Sequence, residues 1–266
     1  MLMKAHLYPL SLLLYSLLKA ASCQAELETG LGISAVHVPH YLGSEEAEVY
    51  VVPVPYIRYR SENLNIDRNF IQQKLFQRGK LSVELSLSGA VPVDNDKSST
   101  REGMDDLDFI GEMGPAVQYH FRGDRLSENA LYLSLPIRGA ISTDFTQAQY
   151  RGYTFNPRLI WRRTYQYVGM QVRSQVSTGF RSASSHMHDY IYGVDARFKT
   201  EEREQYDANS GYGGITLSYS SSLLFDDYML AGFIRYTNIR GASFEDSPLV
   251  SQKSNLLFGG AWVHLF

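Results

Sequence analysis

The residues whose types most suggest chemistry lie late in the chain. His186, His188 and Asp189 combine two imidazoles with a carboxylate, and on an extended chain residues two apart point the same way. That is a metal-like donor set, yet no second cluster of ligands stands near it, so a solvated loop is the expectation. Ser184 and Ser185 beside these histidines supply parts of a hydrolase, but no motif that would form an oxyanion hole accompanies them. Asp94, Asp96, Glu102, Asp105, Asp106 and Asp108 form an acidic stretch that attracts cations. Their spacing matches no rigid calcium site. The reading is therefore no catalytic residue, no metal and no cofactor.

A second set of charges is more informative because of the segments that carry it. Glu84, Glu112, Arg138, Arg158, Arg162, Arg173 and Arg235 each fall on the polar face of a stretch that alternates with period two. In residues 80–92, Leu81, Val83, Leu85 and Leu87 oppose Ser82, Glu84, Ser86 and Ser88. In residues 129–142, Leu131, Leu133, Leu135 and Ile137 oppose Tyr132, Ser134, Pro136 and Arg138. Residues 107–121, 150–163, 166–180, 211–220 and 227–238 repeat the theme less regularly. So do residues 254–266, where Phe258, Trp262, His264 and Phe266 share one face. The best of these stretches match the roughly 9–11 residues of a tilted membrane-crossing strand. Soluble strands are nearer 5–6 residues. Charges on the inner face of such a barrel need partners or water. The seven residues are thus expected to form a lumen charge network, with Gln118, Gln171 and Gln175 as hydrogen-bonding neighbours.

Composition permits this architecture. The 266 residues include 19 Tyr and 13 Phe but only 20% charged residues, and mean hydropathy is −0.24. Alternation between lipid and lumen dilutes every apolar residue with a polar one. At the N-terminus, Lys4 and His6 precede an apolar run over residues 7–18 and then small residues up to Ala25, the pattern of a secretory signal peptide. Residues 1–25 are expected to be cleaved, leaving residues 26–266 as one barrel domain. Cys23, the only cysteine, would leave with them. The net charge of −3 becomes more negative without Lys4 and Lys19, which argues against nucleic acid as a partner.

Connections alternate in length. Residues 122–128, 163–166 and 221–226 are short, whereas 93–106, 181–210 and 239–253 are long and polar, as expected for periplasmic turns and outer loops. Counting back from Phe266 in the periplasm leaves residues 61–79 at the periplasmic rim, as a short hairpin. The sum is ten antiparallel strands. Twelve would place an extra pair inside residues 181–210. The rim stretch carries Arg58, Arg60, Arg68, Lys74, Arg78 and Lys80 against Glu62 and Asp67. Arg68, Lys74 and Arg78 are the candidate partner-docking residues, acting by charge on acidic partners or anionic murein.

Several motifs also resemble a known family. The run Val51-Val-Pro-Val-Pro-Tyr-Ile-Arg-Tyr-Arg60 with Leu64-Asn-Ile-Asp67 is similar to the N-terminal signature of the MipA/OmpV outer-membrane proteins. Gly103-Met-Asp-Asp-Leu-Asp108, Gly111-Glu-Met-Gly-Pro-Ala116, Tyr192-Gly-Val194 and Ser247-Pro-Leu-Val250 follow in the family's order. His264 departs from the aromatic or aliphatic residue usual at its place. The resemblance implies an all-β outer-membrane barrel, without a catalytic residue to carry over. It also implies a scaffold that links a periplasmic murein hydrolase to a murein synthase at the cell outer membrane, with outer-membrane lipid around it. A narrow anion-preferring, porin-like channel and a surface adhesin are the alternatives.

Overall fold

Period-two alternation becomes strand almost throughout, because each apolar face finds one environment and each polar face another. The computed structural model describes residues 26–60, 64–67, 70–95, 98–124 and 127–266. The strands are β1 (Glu26–Pro39), β2 (Ala47–Arg60), β3 (Leu64–Asp67), β4 (Phe70–Arg78), β5 (Leu81–Ala90), β6 (Phe109–Arg122) and β7 (Ala130–Thr143). They continue with β8 (Ala148–Phe155), β9 (Arg158–Tyr167), β10 (Met170–Ala183), β11 (Gly211–Phe225), β12 (Tyr228–Asn238) and β13 (Ser254–Leu265). Apart from β8 and β9, neighbours in sequence pair antiparallel, and β13 pairs with β1 from Gly30↔Leu265 to His37↔Phe258. The pairing therefore runs round a closed ring, and the terminal strand has a mate on both sides.

β8 and β9 are two halves of one crossing. β7 pairs with β8 through Ile137–Thr143 and with β9 through Ala130–Ser134, and β10 likewise meets both. The break falls at Asn156 and Pro157, where proline cannot donate to the ladder. Counting that pair as one stave gives twelve among the described residues, rather than ten. The additional pair is the hairpin β3–β4 inserted in the wall between β2 and β5, not a pair inside residues 181–210. Its alternation is too short to register as two crossings in the sequence. The expected signal peptide, residues 1–25, lies outside the described residues.

The hairpin leaves a feature in the wall. β2 pairs with β1 along its whole length, but β3 takes only Tyr59 and Arg60 on the other side. β4 engages β5 no further along than Gln73↔Leu85. Among the described residues, β2 from position 47 to 58 and β5 from position 86 to 90 thus have no strand between them. Pro53 and Pro55 stand on this stretch of β2, where an unpaired edge removes the cost of their missing N–H groups.

Outward positions carry Leu27, Leu31, Ile33, Val51, Leu81, Met113, Val117, Ile137, Leu159, Leu217, Leu230 and Phe258, all exposed. An apolar band of this extent would be an aggregation surface in water and is a lipid-facing one in a bilayer. Aromatic groups ring both ends. Tyr119 with Phe121 and Tyr228 with Trp262 lie at the end bearing short turns; Phe109 with Phe145 and Phe155 with Phe180 lie at the other.

At that other end the long loops fold together rather than waving in solvent. Residues 184–210 contain one α-helix, α1 (Ser185–Tyr192), and a 3-10 turn at Ala196–Phe198. Tyr41, Val93, Leu107, Tyr192, Val194, Ile239, Phe244 and Leu249 form a common buried cluster. Tyr192 stacks on Phe244 with centroids 3.7 Å apart. The Tyr41 hydroxyl donates to the Leu249 carbonyl at 2.9 Å, the Tyr192 hydroxyl to the Leu42 carbonyl at 2.9 Å, and Ser247 Oγ to the Tyr192 carbonyl at 2.7 Å. Asn255 on β13 clamps the first loop, accepting from Gly43 N–H at 2.7 Å and donating to the Ser44 carbonyl at 2.7 Å. Four loops thereby make a roof over the barrel.

Candidate functional site in the barrel interior

Inward positions place the charges in layers. Near the turn end, Glu28 on β1 is gripped by two arginines from different walls. Arg58 on β2 reaches it at 2.6 Å, and Arg173 on β10 makes a fork at 2.7 and 2.8 Å. The Tyr56 hydroxyl donates to the same carboxylate at 3.0 Å. Glu84, fully buried, accepts from Gln118 Nε2 at 2.8 Å. Higher up, Glu112 accepts from Arg181 at 2.8 Å and from Thr154 Oγ1 at 2.8 Å, with Arg138 at 3.6 Å. Arg138 also donates twice to Ser86 Oγ, at 2.8 and 3.0 Å. These contacts tie β1 to β10 and β6 to β7, β8 and β10, so the interior is spanned at two levels. Arg162 turns toward the turn end and donates to the Ser127 carbonyl at 2.8 Å.

The structure thus brings Glu112 and Arg138 together, while Glu84, Arg162 and Arg173 find partners outside the expected seven. Glu28, Arg181 and Tyr56 were not singled out in the sequence. Glu28 shares a strand face with Gly30, Gly32 and Ser34, and Arg181 continues the face of Arg173, Gln175, Ser177 and Gly179. Extending the alternation to the strand ends would have found both.

Two arginines stand apart. Among the described residues, neither Arg158 nor Arg235 has an acidic side chain within ion-pair distance. Arg235 makes one hydrogen bond, to Ser218 Oγ at 3.3 Å. It borders a cavity of about 450 Å³ beneath the roof.

The histidine cluster is dispersed. Residues two apart are about 200° apart round a helix, and α1 separates what an extended chain would have aligned. His186 is exposed, whereas His188 is buried and faces the cavity. Its Nδ1 lies 2.8 Å from the Asn209 carbonyl, an acceptor only, so Nδ1 carries the proton. Ser243 Oγ, 3.1 Å from the same nitrogen, therefore faces no base. Asp189 instead accepts from Ala208 N–H at 3.0 Å. Ser184 Oγ accepts from Tyr153 N–H at 3.1 Å, and its residue caps the helix. No group of three His, Cys, Asp or Glu among the described residues is arranged to hold a metal ion.

Burial pushes the His188 pKa down, the Arg181 charge adds to this, and the bond to Asn209 opposes it. The folded roof therefore binds fewer protons than the unfolded loop below about pH 6.5. Stability rises with pH in that range, is fully present above it, and falls by up to about 1.4 kcal/mol per pH unit as acidity increases towards the folded pKa. Acidification is expected to speed hydrogen exchange of residues 184–193, and His188→Gln is expected to flatten that response. An unchanged pH profile in the variant would show that His188 is not the responsible group.

The two described docking residues, Lys74 and Arg78, do not form one patch. Arg68 lies outside the described residues. Lys74 stands in direct register with Glu84, on the inward side of the wall. Its place inside follows from the β3–β4 hairpin being part of the barrel rather than a rim appendage. Arg78 remains exposed at the turn end, beside exposed Lys80. The Lys80 carbonyl accepts from His120 N–H at 2.9 Å, which brings exposed Arg122 at the end of β6 to the same rim.

No curated protein matches this chain. A family model does, over residues 31–266, from within β1 to the terminal aromatic residue, and by that match the chain belongs to the family described as MltA-interacting protein MipA.

Proposed function

We propose that this protein is a non-enzymatic outer-membrane barrel that docks a murein lytic transglycosylase of the MltA type at its periplasmic, turn-bearing end. Residues 1–25 act as the export signal and are removed. The observation that carries the reading is the occupied interior. With charged struts at two levels and a four-loop roof, the barrel offers faces to partners rather than a path for solutes. The family's description supplies the partner class. The basic rim of Arg78, Lys80 and Arg122 supplies the complementary surface, since cationic patches steer acidic partners to encounter. Asp124 beside it is engaged with Ser127, whose N–H and Oγ donate to it at 2.8 and 2.7 Å. A murein synthase would then be gathered through the docked hydrolase.

Recovery of purified transglycosylase on the folded, detergent-held barrel tests this. Replacing Arg78, Lys80 and Arg122 together by Glu is expected to weaken capture about tenfold or more, and added salt to weaken wild-type capture. Charge reversal of Arg240, exposed in the roof, is expected to change nothing. Equal recovery by the rim variant and wild type would remove the docking proposal.

A further inference from the structure

Beneath the roof, the cavity of about 450 Å³ has two kinds of wall. Val36, Val38, Phe233 and Leu257, on the neighbouring strands β1, β12 and β13, form one apolar side, and Ile110 on β6 and Ile191 on α1 add apolar surface elsewhere in the lining. Arg235 stands beside that apolar side, in direct register with Leu257, and the lining also includes His188, whose buried Nε2 has no hydrogen-bond partner among the described residues. The proton on Nδ1 leaves Nε2 with its lone pair turned to the cavity. Arg181 also borders the space, but its guanidinium is engaged by Glu112. The cation open to a ligand is Arg235, which among the described residues holds only Ser218 and has Arg158 and Arg181 near enough to add positive potential.

We propose that this cavity binds a single-chain amphiphile with an anionic head, a long-chain fatty carboxylate drawn from the membrane. The head lies against Arg235, whose planar fork matches a carboxylate. The chain packs on the apolar wall. Ligand pockets run from about 300 to 1,000 Å³, so this volume suits one acyl chain rather than the two of a phospholipid. Free inorganic anions would satisfy Arg235 but leave the apolar wall unused, and a neutral alcohol would do the reverse.

The route in is lateral. The roof closes the cavity above, and the Glu112 and Glu28 layers cross the lumen below it. On the side, β2 and β5 have no strand between them, and Gly89, Ala90 and Val91 at the end of β5 line the cavity itself. Inward-facing Val52 on β2 is 42% exposed, and Ser88 and Ala90 on β5 are exposed too, so the interior is open along this seam. The seam lies within the apolar band, where it meets hydrocarbon. The inference goes beyond docking and shares with it only the barrel, since Arg235 and the Arg78 rim are at different heights.

Displacement of a fluorescent fatty carboxylate by oleate, with the full-length folded protein in non-ionic detergent, tests the site. Saturable binding at one molecule per barrel is expected. Arg235→Gln is expected to weaken it about tenfold or more through loss of a charge-assisted pair, and Leu257→Trp to abolish it by filling the tail space. Resistance to unfolding in SDS checks that each variant is folded. Mass spectrometry of the native complex, which needs no variant, is expected to find a co-purified fatty carboxylate. When the probe is loaded into vesicles, it is expected to reach the reconstituted barrel from the bilayer. Partition no greater than into empty micelles would overturn the proposal. So would binding unchanged by Arg235→Gln, oleyl alcohol binding as tightly as oleate, or acetate displacing the probe at equal concentration.

Discussion

Replacing Glu112 by Ala is expected to cost about 3–5 kcal/mol of barrel stability, the range for breaking a buried ion pair from one side. The carboxylate is 5% exposed and serves Arg138, Arg181 and Thr154 at once. Its loss strands Arg138, itself 3% exposed, with Ser86 as its remaining hydrogen-bond acceptor. The penalty arises from the uncompensated cation, not from the bridge being intrinsically strong. A pair of variants separates the two accounts. Glu112→Leu combined with Arg138→Met removes both charges and is expected to recover most of the loss, because hydrophobic replacement of a buried pair is often neutral. Equilibrium unfolding in urea, from lipid vesicles, measures each variant and the coupling between them. A double variant as damaged as Glu112→Ala would mean that the strut itself, not charge burial, holds β6 against β7.

The contrast between these struts and the strands that carry them shows what the sequence contains. Residues 80–92 and 129–142 announced themselves because two environments impose a strict alternation, and the structure places β5 at Leu81–Ala90 and β7 at Ala130–Thr143. Glu112 was legible as an inward charge for the same reason. That Arg181 is its partner is not legible, since the choice among several inward arginines depends on which walls face each other once the ring closes, and local alternation carries no information about that. The hairpin β3–β4 is not legible as two staves because β3 has only four residues, too few for a periodic signal. The sequence over Ser185–Tyr192 carries no strong helix signal, and an extended loop there puts His186 and His188 on one side, whereas the helical backbone sends them apart. The interior cavity depends on loops meeting across the barrel, such as Tyr41 with Leu249 at 208 residues' separation. No window of sequence contains it.

The ring is closed by the last strand, and there a single methyl group is expected to matter. Gly32 on β1 stands opposite Val263 on β13. A Cβ at Gly32 would come within 2.1 Å of the Trp262 carbonyl oxygen and 2.8 Å of Val263 Cα. Those are backbone atoms, so no rotamer change relieves the contact and one strand must move. Gly32→Ala is expected to cost about 1–3 kcal/mol as overpacking, and to lower the fraction of chains that close on refolding into vesicles, because the β1–β13 seam joins residues far apart in sequence and gains its contacts late. Gly260 is the matched control. It lies on the same seam, paired with Ala35, but a Cβ there meets only the Ala231 carbonyl oxygen at an ordinary 3.5 Å. Gly260→Ala is expected to refold as wild type does. Urea unfolding and the yield of SDS-resistant barrel read both variants. If the two glycine variants behaved alike, close approach of the strands at Gly32 would not be what closure requires. If Gly32→Ala alone failed, the terminal strand's apolar face would be insufficient by itself to seal the ring, and small residues on the first strand would share that task.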